Sequence, residues 1–385
     1  MKKRIFIVGS SRFPRGSAGA NYDQYLALAL VEQGWEVIIL GCGNNSKAHY
    51  VNGKYIYKNI EYYNSPFFKA NDYGFGLVYY INMVLKYKIS KSDYFIIRDI
   101  ASFPLLFFLA KFGKKHMCYV QYENMKNSQF RHWVINPRCW NHIIKTKLKY
   151  WFIPKAFPIS KSCENIEKGY KCRTLRLPIM ADPYEYEYIE KKGLPKKIKF
   201  IYPGAKLTSF EDDLESVLKA FDKIAEQYSG KIELHITGAS KEKLIQLYKE
   251  KLTLKNIDKI IVIHQWMQYT ELVKLYQSMD YLVLLRYKNS ITEANFPSKI
   301  PETLSYGIVP ICTDVGDYTK YYLTDGLDSF IIQDSDSKKL VNLLNEILNI
   351  SEQKYIDMHK AARQTSIDKF YFSNWSRKIN DFLME

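Results

Sequence analysis

The chain has 385 residues, 47% of them hydrophobic and 15% aromatic, which is enough for two domains with separate cores and excludes a disordered chain. Most of its net charge of +16 sits in residues 1–190, which carry 28 Lys and Arg against 14 Asp and Glu, whereas the rest carries 28 against 26. A field of that sign recruits phosphates, and the six cysteines, scattered without a Cys-x-x-Cys pair, argue against a zinc site or a disulfide framework and for a reducing cytoplasm.

In chain order, "MKKRIFIVGSS" starts with basic residues but has too short an apolar stretch for a signal-peptide core. "IFIVGS" reads as a buried strand, "NYDQYLALALVEQG" (21–34) as a helix closed by Gly34, and "WEVIILG" as the next strand, a βαβ unit. Further strands are expected at 93–99 and 116–123. "FPLLFFLAKF" (103–112) is about half the ~20 residues of a membrane span, so no crossing is expected. In "CWNHIIKTKLKYWFIPK" (139–155) the lysines at 145, 147, 149 and 155 alternate with Trp140, Ile143, Ile144, Leu148, Tyr150, Trp151 and Phe152. That is the composition of a segment resting on an anionic membrane surface, and equally of an amphipathic helix packed on its own domain.

"EKKGLPKK" (190–197) is charged and carries Gly and Pro, which suits a linker between domains 1–190 and 191–365. Residues 366–385 are expected to form a C-terminal helix that packs back on the first domain. The second half opens with the strand "IKFIYPGA". In the helix that follows, Leu214, Val217, Leu218, Phe221, Ala225 and Tyr228 share one face. Alternation continues through "KIELHITG", "KIIVIHQW", "YTELVKLYQSM", "DYLVLLR" and "IVPICTD". The fold class is therefore α/β, two Rossmann-like parallel-sheet domains facing an interdomain cleft, with a ligand outside the carboxyl ends of the strands.

One stretch, "FPSKIPETLSYGIVPICTD" (296–314), carries the chemistry. A helix starting near Ser298 and ending before Gly307 has unpaired first amides and a dipole that favours negative charge. Pro301 falls in the first turn, where its missing N–H costs nothing. The amides of Ser298, Lys299 and Ile300, with the Lys299 ammonium beside them, are expected to hold a diphosphate. Glu302 lies roughly 6 Å further along the axis, where its two oxygens match two vicinal ribose hydroxyls. The plainer alternative is a carboxylate that merely complements the dipole.

The run "LLRYKNSITEANFPSKIPETLSYGIVPICTDVGDYTKYY" resembles the donor-binding segment of the family-4 retaining glycosyltransferases of GT-B fold. It is most similar to bacterial capsule and surface-polysaccharide enzymes that read Phe-Pro-x-Lys before Glu. The likeness extends more weakly to "YPGAKL" (202–207) and "PRGSAGAN" (14–21), the family's phosphate-side loops, and to "FPISKSC" and "LPIMADPY" near the domain junction.

The resemblance implies that Asn295, Phe296, Pro297, Ser298, Glu302, Gly204, Gly16 and Gly19 line the donor site. Lys206, Arg286 and Lys299 would then stabilise the departing phosphate. Glu123 stands near a family histidine close to the sugar, with a surface carboxylate as its alternative. Gly16 and Gly19 could equally be turn glycines, since their spacing is not Gly-x-Gly-x-x-Gly. Two departures stand out. Counting back from Glu302, the family's first glutamate falls on Ala294, with Glu293 one residue out of register. The second basic residue after the first strand of the second domain is replaced near Asp212 and Asp213, so Arg286 is expected to supply that cation. "EDD" (211–213) and "DSD" (334–336) read as helix caps rather than metal ligands.

What the resemblance implies is transfer of a sugar from a UDP- or GDP-linked donor to a glycan or polyprenyl-diphosphate-linked acceptor bound by the first domain. This would be a step of cell-surface polysaccharide biosynthesis, with retention and with no cofactor and no metal. The expected location is cytoplasmic, peripheral to the inner face of the cell membrane if 139–155 docks there. Two alternatives remain: a non-catalytic GT-B partner of an active enzyme, and a basic nucleic-acid-binding protein. The second is opposed by the absence of a recognition module and by the acidic balance of the second half.

Overall fold

The computed structural model describes residues 3–9, 11–14, 17–65, 75–98, 111, 116–122, 149–204 and 209–385. The chain divides into two units, one made of Met1–Met180 with Phe372–Glu385 and the other of Ala181–Tyr371.

In the first unit, β1 (Arg4–Val8), α1 (Ala18–Glu32) and β2 (Glu36–Cys42) form the βαβ unit that the apolar runs require. Gly34, at φ 80°, ends the helix as its lack of a Cβ allows. There follow β3 (Tyr50–Val51), β4 (Lys54–Tyr57), β5 (Ile60–Ser65), α2 (Phe75–Tyr87), β6 (Tyr94–Ile97), β7 (Met117–Gln121), β8 (Lys155–Pro158), α3 (Lys161–Gly169) and β9 (Arg173–Thr174). The described strands form one sheet in the order β3-β4-β5-β2-β1-β6-β7-β8-β9. Pairing is parallel from β5 to β9, and β3, β4 and β5 pair antiparallel. Phe6, Val8, Ile38, Leu40, Phe95 and Ile97 bury one face against Tyr79 and Met83. Strands covered on both faces read as continuous apolar runs rather than alternating ones, which is why β1, β2 and β6 are visible in the sequence.

In the second unit the order is β10 (Ile198–Tyr202), α4 (Leu214–Tyr228), β11 (Ile232–Thr237), α5 (Lys241–Ile245), β12 (Ile261–His264), α6 (Tyr269–Gln277), β13 (Tyr281–Leu284), α7 (Lys299–Leu304), β14 (Val309–Thr313), β15 (Phe330–Ile332), α8 (Ser337–Leu348) and α9 (Glu352–Thr365). The sheet is parallel, in the order β12-β11-β10-β13-β14-β15. Along α4, Leu214, Val217, Leu218, Phe221 and Ala225 are buried as the spacing demands, and Tyr228 sits half-buried at the margin. Phe221 meets Phe200 of β10 edge-on at 5.1 Å between ring centres, and burying such a ring contributes about 2 kcal/mol.

The division falls about ten residues before the charged segment 190–197. Ala181 donates its amide to the Phe370 carbonyl at 2.8 Å, and Lys191 pairs with the buried Asp280 at 2.7 Å, so residues from 181 onward are strapped to the second unit. The charge of "EKKGLPKK" marks a strap along the surface of that unit. At the other end, residues 366–371 stay with the second unit. The helix α10 (Ser373–Met384) belongs to the first, where it lies on α1: Gln33 donates to Ser376 Oγ at 3.2 Å and Trp35 Nε1 to Asn380 Oδ1 at 3.0 Å. Covered by the sheet on one side and by α10 on the other, α1 is buried almost all round, its polar Asp23 answered by Arg98.

Candidate functional site

In the second sheet, β10, β11 and β12 run outward one way and β13, β14 and β15 the other, so β10 and β13 flank a switch point. The carboxyl ends of such a strand pair are where open α/β sheets bind ligands. Beyond β10 the backbone turns at Gly204, whose φ of 65° suits glycine and whose amide donates to Thr237 Oγ1 at 3.0 Å. Beyond β13, the Arg286 amide donates to Thr313 Oγ1 at 2.9 Å, and that hydroxyl donates back to the Arg286 carbonyl at 3.0 Å. The two ends meet at Lys299, the first residue of α7. A Cβ at Gly204 would lie 3.6 Å from Lys299 Cε, and the ammonium sits 5.5 Å from the centre of the Tyr202 ring.

Arg286, expected to supply the cation missing after the first strand of the second domain, lies in a cluster of side chains. Its side chain is 3% exposed and bound on three sides. Nε donates to Asp212 Oδ1 at 3.0 Å, one terminal nitrogen to Asn295 Oδ1 at 2.7 Å and the other to Glu211 Oε2 at 2.9 Å. A buried guanidinium needs carboxylate partners to offset its desolvation, and these loops supply them. Lys299 joins the same cluster through Asp212 Oδ2 at 3.3 Å. Burial disfavours the Asp212 charge, but Lys299 and Arg286 outweigh it and hold the carboxyl below the usual aspartate range.

Much of the loop between β13 and α7 is engaged by the protein. Asn289 Oδ1 accepts the amides of Ile291 and Thr292 at 2.9 and 3.0 Å, and Thr292 Oγ1 donates to the Tyr287 carbonyl at 2.6 Å. Asn295, expected at the donor, also donates Nδ2 to Glu211 Oε2 at 3.1 Å and so serves the Arg286 cluster. Phe296 is buried among Tyr318, Tyr322 and Phe370, with ring centres 5.6 to 6.0 Å away, which makes it core rather than ligand surface. The Pro297 carbonyl accepts the Ile300 amide at 3.1 Å, so that amide is taken up by a turn, contrary to expectation. Ser298 precedes α7 with helical φ and ψ of −60° and −20°, and its carbonyl accepts the Glu302 amide at 3.3 Å.

Glu302 is half-buried, one turn into α7, and its carboxylate adds to burial in raising the Tyr276 hydroxyl. Ala294, at the family's first-glutamate position, is buried. Glu293, one residue out of register, binds Lys320 through Oε2 at 2.8 Å, on the segment after β14.

Lys206, Gly16 and Glu123 lie outside the described residues. Gly19 lies in α1, and its carbonyl accepts from Arg98, which also binds Asp23 at 2.7 Å. A Cβ at Gly19 would stand 3.4 Å from the guanidinium, so the space beside this glycine is filled by Arg98. The membrane-facing reading of 139–155 is corrected at two lysines. Lys149 is buried on Glu167 at 2.9 Å, and Lys155 is buried with its ammonium on the Leu383 carbonyl at 2.8 Å. Trp151 is 71% exposed, and 139–148 lie outside the described residues.

"EDD" is half a cap. Asp213 accepts the Ser216 amide at 3.0 Å, whereas Glu211 and Asp212 anchor Arg286. Those two carboxylates and Thr313 are the site residues that sequence reasoning missed. The available signal was two acids standing where a cation was due. Asp336 does cap α8, accepting the Lys338 amide at 2.7 Å. Among the described residues no group of three metal-ligating side chains occurs, and no helix is long and apolar enough to cross a membrane.

Residues 186–365 match the family described as Glycosyl transferases group 1. No curated protein matches the chain in sequence. Among solved structures, it is similar to sucrose-phosphate synthase from Thermosynechococcus elongatus, at 11% identity and TM-score 0.70, over 100% of this chain and 98% of that one. It is similar to WaaG, a glycosyltransferase involved in lipopolysaccharide biosynthesis, at 13% identity and TM-score 0.66, over 98% and 99%. It is also similar to a trehalose-6-phosphate protein from E. coli bound with UDP-2-fluoro glucose, at 12% identity and TM-score 0.67, over 100% and 99%. Identities this low speak for the fold alone. Residues 186–365 thus match a glycosyl transferases group 1 domain, in a chain that has the GT-B fold.

Proposed function

We propose that the chain is a retaining glycosyltransferase that moves a sugar from a nucleotide-sugar donor to a glycan or lipid-linked acceptor in cell-surface polysaccharide assembly. The observation that carries this reading is the convergence of Lys299 and Gly204 at the switch point, with Glu302 one helical turn beyond. In it, Lys299 meets the diphosphate beside a glycine that leaves the backbone open to close approach, and Glu302 takes the ribose hydroxyls. The ammonium offsets the negative charge that grows as the nucleoside diphosphate departs, and no metal is needed for that step. The E. coli neighbour bound with UDP-2-fluoro glucose and the lipopolysaccharide neighbour support a UDP-linked donor and a surface glycan. Contact with an anionic membrane would rest on Trp151 and the lysines at 145 and 147.

A non-catalytic GT-B partner is the second reading, favoured by the carboxylates that already answer Arg286 and Lys299. Thermal shift with UDP, GDP and ADP, followed by release of free nucleoside diphosphate from a panel of nucleotide sugars, separates the two. Binding with release supports the enzyme, binding without release across the panel supports the partner, and no binding of any nucleotide removes both donor readings.

A further inference from the structure

The charge balance at the carboxyl ends of β10 and β13 carries an inference that rests on the donor reading above. Two cations, Arg286 and Lys299, meet two carboxylates, Glu211 and Asp212, so among the described residues this cluster is balanced in charge, with no surplus cation for a diphosphate. The cations are not held alike. Arg286 is 3% exposed and gripped at 2.7, 2.9 and 3.0 Å. Lys299 is 22% exposed, pairs with Asp212 Oδ2 at 3.3 Å, and rests its flexible stem against Gly204, which has no side chain of its own. Asp212 itself is pinned. Its amide and that of Glu211 donate to Ser209 Oγ at 3.0 Å, its backbone bridges Arg286, and the Tyr287 amide holds the Glu211 carbonyl at 2.9 Å.

We infer that Asp212 is an internal counter-ion standing in for a ligand phosphate on Lys299, and that a diphosphate binds by drawing the ammonium off Asp212 while Asp212 stays on Arg286. Asp212 thereby weakens the hold on a nucleoside diphosphate and hastens its departure. Burial opposes its charge, but Lys299 and Arg286 keep it ionised through the neutral range.

The test is titration calorimetry of UDP on the full chain, with stopped-flow displacement for the off-rate, comparing wild type, D212N, D212S and K299A. Asparagine keeps an oxygen for Arg286 Nε and removes the charge. Serine covers the case in which the amide disturbs the fold, and unfolding without ligand checks all four proteins. The expected result is UDP held about tenfold more tightly by D212N, through a slower off-rate, with K299A weaker than wild type. If K299A weakens UDP while neither Asp212 variant binds it more tightly than wild type, the counter-ion role is overturned and the donor reading stands. Failure of wild type and every variant to bind UDP overturns the donor reading and this inference together.

Discussion

Arg286 donates to Asn295 Oδ1 at 2.7 Å, closing the loop between β13 and α7 on its own starting strand. With Glu211 and Asp212 on its other nitrogens, this guanidinium fastens that loop to the segment before α4. Arg286→Ala leaves the half-buried Glu211 and Asp212 without their shared guanidinium, so it should cost about 2 kcal/mol of stability. Arg286→Lys should recover only part of that, since one ammonium cannot reach three partners in a fork. Denaturant unfolding measures both, and an Arg286→Ala protein as stable as wild type would contradict the fastening role.

Glu302 predicts a chemical signature as well as a loss of affinity. If it takes the ribose hydroxyls, Glu302→Ala should weaken UDP by about tenfold, while 2′-deoxy-UDP should lose little further on the variant. A double cycle of two proteins and two nucleotides measures the coupling. Equal discrimination by both proteins would place the carboxylate away from the sugar.

His359 sets an acid limit. Its ring is buried, with Nδ1 donating to the Gly307 carbonyl at 2.7 Å, and burial pushes its pKa down to about 4. The folded chain keeps the ring neutral to that pH, whereas an unfolded histidine takes its proton near 6.5, so the unfolded state holds more protons between the two values. Stability from this residue is full above about pH 6.5 and is lost as pH falls towards 4, by roughly 3 kcal/mol in all. Urea unfolding of wild type and His359→Gln at pH 7.5, 6 and 5 should show a steeper decline in the wild type.

Gly307, at φ 68°, ends α7 where a side chain has no room: a Cβ would stand 2.9 Å from Tyr188 Cε2 and 3.1 Å from the His359 carbonyl oxygen. Gly307→Ala should therefore cost about 3 kcal/mol, part from the left-handed backbone and part from overpacking. Thermal unfolding reads the loss. Nucleotide affinity of the folded fraction should fall as well, because the same turn sets the axis of α7.

What was legible in the sequence is what depends on period and composition. β1, β2, β6, β7, β13 and β14 lie inside largely apolar runs, β10 and β11 keep apolar residues at alternate positions, and α4 shows its buried face at helical spacing. The short antiparallel strands β3 and β4 were not legible, because their exposed and half-buried tyrosines and lysines carry no clean alternation. At the candidate site, the helix start at Lys299 and the place of Glu302 in its first turn were legible from local spacing around Pro301. The cluster was not, since Asp212 and Arg286 are 74 residues apart and meet only because β10 and β13 are neighbours in the sheet. Phe296 was misread for a related reason: an aromatic beside a binding turn looks the same in sequence whether it faces ligand or Phe370.

The placement of α10 on α1 has a temporal consequence. Trp35 and its partner Asn380 are 345 residues apart, so the amino-terminal unit cannot bury its first helix until residues near 380 have left the ribosome. At about 5–20 residues per second that is a wait of roughly 17 to 70 seconds with an apolar helix face uncovered. The carboxy-terminal unit, contiguous from Ala181 to Tyr371, has no such dependence and is free to complete itself first. During synthesis the half made earlier is therefore the half finished later, and it is the one that needs protection from aggregation.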